Sequence, residues 1–180
     1  MNEGLIPKRY AKALYKVGVE RGCDKRLYSL MQNLTAAAAA DPGLQKAVAN
    51  PFVTETDKAA LLTTAAGAEA KDTAFADFVA LLRRNRRVDM ACAIAAAYVA
   101  YYRSQHNIRS VRVVSAAPLD SALLARIKAL VEAHLHGASM EFSTSVDPSL
   151  IGGFIVNIDN ESLDASLSRQ LKELRQSLLK

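Results

Sequence analysis

The histidines closest together in the chain are the first candidates for chemistry. His134 and His136 lie two residues apart at the end of a predicted helix. Side chains two apart on a helix point in different directions, so this pair is poorly placed to share a metal ion. A last helical turn suits histidine for another reason, because positive charge there complements the helix dipole. We therefore assign no metal to these residues.

Three aspartates surround the chain's single glycine pair. Asp147, Asp159 and Asp164 flank Gly152-Gly153, and clustered carboxylates are typical cation ligands. Turn formation and helix capping explain each aspartate equally well. No Lys-Ser or Lys-Thr follows the glycines, so the pair does not make a phosphate-binding loop. We predict no catalytic residue, no cofactor and no metal site.

The sharpest charged motif is Arg83-Arg84-Asn85-Arg86-Arg87. Cations are favoured at a helix C-terminus, so a solvated helix end is the simplest interpretation. An acidic protein or a nucleic acid would also suit it, although no aromatic residue or glycine is interleaved for nucleic-acid binding. Residues 1–107 carry 15 basic and 10 acidic residues, whereas residues 108–180 carry eight of each. A basic helical nucleic-acid-binding protein therefore remains the alternative prediction.

Cysteine content and hydropathy indicate the expected compartment. Cys23 and Cys92 give no disulfide framework and no metal-ligand spacing, which fits a reducing environment. The longest apolar run, Ala91–Tyr102, is too short to span a bilayer. The N-terminus lacks the apolar core of a signal peptide. We expect a cytosol-like location without direct insertion into the bilayer.

The first 107 residues, rich in alanine and leucine, predict a six-helix bundle. Asp41-Pro42-Gly43 and Asn50-Pro51 mark turns within it, and Gly22 and Gly67 end helices. In the sixth helix, helical spacing predicts that Met90, Ile94, Ala97 and Tyr101 point inward, with Tyr98 beside them. The predicted helices run from Pro7 to Arg21, from Asp24 to Ala40, around Leu44 and Val48, from Thr54 or Thr56 to Gly67, from Asp72 or Thr73 to the arginine run, and from Val88 to His106.

The pattern changes after Asn107. A β-branched run from Ile108 to Val114 predicts a strand. It is followed by a helix from Pro118 to Gly137, strands over Met140–Val146 and Phe154–Ile158, and a closing amphipathic helix over Leu163–Leu179. The predicted fold is mainly α, with a bundle over residues 1–107 and a small β-α-β-β-α domain over residues 108–180.

Several stretches, in order along nearly the whole chain, resemble the delta subunit of F-type ATP synthase, the oligomycin sensitivity conferring protein family. The family's "R-Y-A-K-A-L-aromatic" and "L-L-x-x-N-x-R" motifs are similar to Arg9–Tyr15 and Leu81–Arg87. Its "V-x-S-A-x-P-L" motif is similar to Val113–Leu119. The most specific match is Val146–Phe154 followed by Leu163–Leu167.

The resemblance implies a non-catalytic stator subunit that ties the catalytic head to the peripheral stalk, at the cytoplasmic face of the inner membrane. The helical domain would receive the N-terminal segment of an alpha subunit, and the C-terminal domain would hold the b subunits of the stalk. No cofactor is implied. By the family's pattern the first and fifth helices receive the alpha segment, through Tyr10, Ala13, Leu14, Val17, Phe78, Leu81 and Leu82. The stalk contacts would be Leu171, Leu174 and Leu178.

Overall fold

The computed structural model describes residues 4–135, 139–159 and 161–166, together with Arg169. By its internal contacts the chain divides into two compact units, Met1–Ser104 and Gln105–Lys180. The predicted fold class, a helical bundle followed by a small α/β unit, is confirmed.

The first unit consists of six helices with short connections. Most end where the sequence places a helix-breaking residue: Gly22 and Gly67 both adopt positive φ, and Pro42 opens the third helix. A 3₁₀ turn over Val88–Met90 precedes the sixth helix. The helices are α1 (Leu5–Glu20), α2 (Asp24–Ala40), α3 (Pro42–Ala49), α4 (Glu55–Ala66), α5 (Thr73–Arg84) and α6 (Ala91–Gln105).

The core of this unit is built around α2 and α6. Gly18 lets α1 approach α2 closely, because a Cβ atom there would lie 3.0 Å from the Leu27 Cδ1 atom and 3.3 Å from the Asp24 Cα atom. Among the described residues, the largest fully buried side chains of the unit include Leu27, Leu30, Met31, Leu34, Phe75, Leu82, Ile94 and Tyr98.

The inward face of α6 differs from the one predicted. Ile94 and Tyr98 are fully buried, as expected, but Met90, Ala97 and Tyr101 are only half-buried. Apolar residues occupy every side of this helix, so helical periodicity does not select one face. The face that packs inward is instead formed by Ala91, Ile94, Ala95, Tyr98, Val99 and Tyr102.

A partly buried ion pair joins α2 to the start of α5. The Arg26 guanidinium donates two hydrogen bonds to the Asp72 carboxylate, at 2.9 and 2.8 Å, and the Glu69 backbone N–H donates a third at 2.8 Å. Asp72 is buried, whereas the Arg26 side chain keeps 39% of its exposure. The hydrogen bonds from Arg26 are the main reason that the pKa of Asp72 falls to about 2.

The described part of the second unit contains a four-stranded mixed sheet, the helix between its first two strands, and a helical residue at Arg169. Its strands are β1 (Ile108–Ser115), β2 (Ser139–Val146), β3 (Gly153–Ile158) and β4 (Glu161–Ser166), and the helix is α7 (Ser121–His134). The strand order is β2-β1-β3-β4, with β1 parallel to β2 and antiparallel to β3. The parallel pair requires the crossover that α7 provides.

One face of this sheet carries the core of the unit. Val111 and Val113 alternate with the exposed Arg112 along β1, as the period of a half-buried strand requires. Their neighbour in β3 is Val156, which pairs with Val113. On α7, Ile127 and Val131 are buried in the same cluster.

The end of the chain departs from the prediction. Glu161–Ser166 forms β4, antiparallel to β3, with Val156 opposite Leu163. The predicted closing helix therefore does not begin at Leu163. Arg169 is helical, as predicted, and the other residues from 167 onward lie outside those described. The turn at Asp159 brings the chain back beside β3, so sheet pairing outweighs the leucine spacing at this point. No described helix is long and apolar enough to cross a membrane.

Candidate partner-binding grooves

An open groove lies between α1 and α5 in the first unit. Its volume is about 420 Å³. Apolar surface dominates its floor, and Leu81 keeps 45% of its exposure although it is a large apolar side chain. Such a groove suits one face of an amphipathic helix. The described residues that line it are Ile6, Arg9, Tyr10, Ala13, Leu81 and Arg87.

Tyr10 connects the two helices at one end of the groove. Its hydroxyl oxygen accepts hydrogen bonds from Asn85 Nδ2 at 2.9 Å and from Arg87 Nη1 at 3.3 Å. The Arg87 guanidinium also lies 5.8 Å from the centre of the Tyr10 ring, within range of a cation–π interaction. Asn85 caps α5, and Arg86 adopts positive φ, so the chain turns sharply beside Tyr10.

An ion pair also joins α1 to α5, outside the residues that line the groove. Arg21, which follows α1, lies 2.7 Å from the Asp77 carboxylate in α5. The Tyr10–Asn85 and Arg21–Asp77 contacts together show that α1 and α5 run antiparallel. Both side chains of the ion pair are largely exposed, so the pair contributes no more than about 1 kcal/mol.

The seven residues predicted to receive a partner helix fall into two sets. Tyr10, Ala13 and Leu81 line the groove. Leu14, Phe78 and Leu82 are buried beneath it, with exposed fractions of 8%, 4% and 0%, and Val17 is half-buried. The buried residues therefore support the groove from the core, since a docked helix could not reach them without repacking.

Sequence reasoning missed Ile6, Arg9 and Arg87 as lining residues. A signal for the first two was present, because Ile6, Arg9, Tyr10 and Ala13 recur at helical spacing along α1. Arg87 had no such signal. It lies beyond the end of α5, and only the turn at Asn85 and Arg86 brings it back to Tyr10.

Two of the groove-lining residues, Arg9 and Arg87, are arginines that form an ion pair with no described carboxylate. Elsewhere in this unit Arg21, Arg26 and Lys58 each lie within 4.0 Å of a carboxylate. In contrast, no described carboxylate forms an ion pair with the set that we call the basic cluster. This cluster consists of Arg9, Arg83, Arg84, Arg86 and Arg87.

A second apolar groove belongs to the C-terminal unit. It has a volume of about 550 Å³ and lies between α7 and strands β3 and β4. Leu130 and Leu163 border it with exposed fractions of 72% and 66%. The described lining residues also include Ile127, Val131, Phe154, Val156, Ile158, Glu161 and Ser162. The predicted stalk contacts Leu171, Leu174 and Leu178 lie outside the described residues.

The polar residues first considered for chemistry have structural duties where they are described. Asp147 accepts a hydrogen bond from the Ser149 N–H at 3.0 Å, and its hydrogen bonding to Ser149 lowers the pKa of its carboxyl. Asp159 accepts from Arg109 Nη1 and the Ser110 N–H, both at 3.0 Å. These contacts fix the ends of the turns around β3.

Both cysteines belong to the first unit. Cys23 and Cys92 are both half-buried, and Cys23 occupies the N-cap position of α2. Desolvation raises the pKa of the Cys92 thiol. A raised pKa reduces the thiolate fraction, so the structure gives this thiol no activation as a nucleophile.

Comparison with known proteins identifies the family. A family model described as the ATP synthase delta (OSCP) subunit matches residues 6–178. The chain belongs to the ATP synthase delta (OSCP) family. Among its delta relatives, the ATP synthase subunit delta of Bacteroides thetaiotaomicron is 36% identical over 180 residues, covering 99% of this chain and 96% of that one. The subunit of Parabacteroides distasonis is 34% identical over 179 residues, covering 99% and 98%.

A solved structure shares the fold of this chain over nearly its whole length. The similar chain occurs in the mitochondrial ATP synthase hexamer of Toxoplasma gondii, with a TM-score of 0.72 and 20% sequence identity. The match covers 97% of both chains. At this identity the likeness concerns the fold alone. The resemblance found in the sequence motifs is confirmed by the family match and the delta relatives.

Proposed function

We propose that this delta-family chain is a non-catalytic stator subunit that links the catalytic head of an F-type ATP synthase to its peripheral stalk. The observation that carries the proposal is the open groove between α1 and α5, together with the family membership. By holding the head against the turning rotor, the subunit would support proton-driven ATP synthesis without performing chemistry itself.

The first interface would form when the alpha subunit's N-terminal segment docks into the α1–α5 groove. An amphipathic helix binds such a groove by placing apolar side chains at i, i+3, i+4 and i+7 into it. Ile6, Tyr10, Ala13 and Leu81 offer the apolar floor. The small side chain of Ala13 permits a close approach of the incoming helix, which increases the number of van der Waals contacts.

The second interface would lie in the C-terminal unit, where the b subunits of the stalk would attach. The apolar groove between α7 and strands β3 and β4 is the best described surface for this contact. Its exposed leucines, Leu130 and Leu163, would lose contact with water on binding. Burial of apolar surface contributes about 25 cal/mol per Å².

Two interfaces on one chain suit a subunit that mechanically couples the catalytic head to the stalk. While one interface remains bound, it keeps the partner of the other interface nearby. The effective concentration of that partner is therefore high, and it rebinds faster than it diffuses away. A stator under sustained torque needs slow dissociation more than fast encounter. The subunit would be associated with the membrane only through its protein partners, without inserting into the bilayer.

The groove assignment is tested with Leu81→Asp and a matched control. Leu81 and Leu61 have similar exposed fractions, 45% and 40%, but only Leu81 lines the groove. We expect Leu81→Asp to weaken binding of a synthetic alpha N-terminal peptide at least tenfold, because a carboxylate would be desolvated against apolar anchors. Calorimetric titration of the full chain measures this change.

The control separates binding from folding. Leu61→Asp should bind the peptide as the natural chain does, and both variants should keep their helical circular dichroism. Tight binding by Leu81→Asp would show that the assigned groove is not the docking site. An unaltered chain that fails to bind the peptide at tens of micromolar, a weak affinity for a specific groove, would remove the proposed function.

A further inference from the structure

We propose that Arg87 is a receptor for a carboxylate side chain of the segment that occupies the α1–α5 groove. The inference rests on the proposed function and adds the chemistry that positions the partner. It starts from the contrast within the first unit: Arg21, Arg26 and Lys58 are paired with carboxylates, whereas the groove-lining Arg87 is not paired with any described one.

Arg87 is held in place without being neutralised. The Tyr10 hydroxyl accepts a hydrogen bond from Arg87 Nη1 at 3.3 Å, and the guanidinium lies 5.8 Å from the Tyr10 ring centre. Tyr10 is itself fixed by the Asn85 Nδ2 atom at 2.9 Å. These contacts involve a neutral hydroxyl and an aromatic ring, so Arg87 keeps its full positive charge. The other N–H groups of its guanidinium are available to donate hydrogen bonds.

Position distinguishes Arg87 from the rest of the basic cluster. Arg87 is half-buried and lines the groove, while Arg83, Arg84 and Arg86 are exposed and do not line it. A half-buried arginine binds a carboxylate more strongly than an exposed one, because nearby water is displaced and the fork is already oriented. Arg9 lines the same groove and adds a second positive charge.

The charges also favour one placement of the partner. The charged residues among the described groove lining are Arg9 and Arg87, and both are positive. An amphipathic helix with a carboxylate beside its apolar anchors is therefore the occupant of this groove, with that carboxylate at the Arg87 end. The carboxylate fixes the register of the helix, since apolar contacts alone allow it to slide.

The test uses the full chain and a synthetic alpha N-terminal peptide. We expect Arg87→Gln to weaken peptide binding about tenfold, because it removes a charge-assisted hydrogen bond in a desolvated groove. Arg83→Gln removes the same charge from an exposed position and should cost less than about threefold. Raising the salt from about 0.01 M to about 1 M shortens the screening length roughly tenfold and should reduce this difference.

Peptide variants locate the contact. Each carboxylate of the peptide is replaced in turn by its amide. One of these replacements should weaken binding to the natural chain as much as Arg87→Gln does. The same replacement should weaken binding to the Arg87→Gln chain only slightly further. If Arg87→Gln fails to fold, Arg87→Lys replaces it. Lysine keeps the positive charge but lacks the planar guanidinium group, so the affinity for the peptide should fall several-fold.

The outcomes separate this inference from the proposed function. Peptide binding with equal losses for Arg87→Gln and Arg83→Gln, or with no loss for either, overturns the carboxylate receptor and leaves the groove assignment intact. Absence of peptide binding to the unaltered chain overturns both. Salt-sensitive binding of a short DNA duplex at peptide-like affinity would show that the basic cluster binds nucleic acid, which also overturns the inference.

Discussion

At the scale of single residues, position in the fold determines what a charge can do. The chain has many arginines, yet their surroundings differ. Arg26 is committed to a buried aspartate, Arg21 to an exposed one, and Arg87 to a tyrosine hydroxyl. The first stabilises the bundle, the second joins the end of α1 to α5, and the third leaves a charge available for a partner.

The Arg26–Asp72 contact predicts a specific dependence of stability on acid. The pKa of Asp72 is lowered from 3.8 to about 2 in the folded chain, so the unfolded chain binds more protons between these values. Stability from this contact is therefore present above about pH 4 and is lost as the pH falls toward 2. The shift corresponds to at most about 2 kcal/mol.

Asp72→Asn tests this contribution through urea unfolding at several pH values. We expect the free energy of unfolding to fall by about 1–2 kcal/mol near neutral pH, and the difference from the natural chain to disappear near pH 2. The control is Asp77→Asn, which breaks an exposed pair and should cost less than about 1 kcal/mol. Equal effects of both substitutions would contradict the buried role of Asp72.

At the scale of elements, turns decide which side chains meet. The turn after α5 returns Arg87 to Tyr10, and the turn at Asp159 pairs β4 with β3. A third turn, between β2 and β3, contains Ile151 with φ of 64° and ψ of −38°. There the Gly152 N–H donates to the Leu150 carbonyl at 2.6 Å, which closes a strained γ-turn.

Replacement of Ile151 by glycine should relieve this strain. Positive φ at a β-branched residue costs roughly 1–3 kcal/mol, whereas the added entropy of glycine costs about 0.5–1 kcal/mol. Ile151 is 71% exposed, so little packing is lost. We expect Ile151→Gly to raise the free energy of unfolding by about 1 kcal/mol. Thermal or urea unfolding measures it.

The neighbouring Ser149 provides the comparison for that prediction. It lies in the 3₁₀ turn Pro148–Leu150, where φ is negative, so Ser149→Gly should lower stability by about 0.5–1 kcal/mol. Changes of the same sign in both variants would mean that the γ-turn carries no strain.

At the scale of the whole molecule, each unit has its own core. Tyr98 and Phe75 belong to the buried set of the first unit, and Val111, Val113 and Ile127 to the core cluster of the second. A unit with its own core can fold alone. Two such units on one chain are what the proposed coupler requires, one for each partner.

A fragment comprising residues 1–107 tests this independence, since it keeps α6 whole. We expect the fragment to be helical, to unfold cooperatively, and to bind the alpha peptide with the affinity of the full chain within about threefold, because the groove lies wholly in this unit. A fragment that is unfolded by circular dichroism would show that the bundle depends on the C-terminal unit.

Helix and strand positions could largely be predicted from the sequence because local signals set them. Gly22, Gly67 and Pro42 mark helix boundaries, and the β-branched run from Ile108 marks β1. β4 escaped prediction because its six residues gain their order from pairing with β3, which no local pattern records. The leucine spacing of a helix continued through the same segment and gave the stronger local signal.

The candidate groove could be predicted only in part. The sequence motifs resembled the delta family, and the comparisons confirm that resemblance. The choice of the first and fifth helices was implied by the resemblance alone. Periodicity reports which residues avoid water but not what covers them. For that reason Leu14 and Leu82 were grouped with Leu81, although only Leu81 is open to a partner.

By itself, the sequence determined the family, the fold class and the positions of most helices, because these follow from residue order and local propensity. Only the tertiary structure decided which apolar face stays uncovered, which arginines find carboxylates, and where Arg87 lies relative to Tyr10. These features depend on distances between residues far apart in the chain, and such distances exist only after the helices have packed.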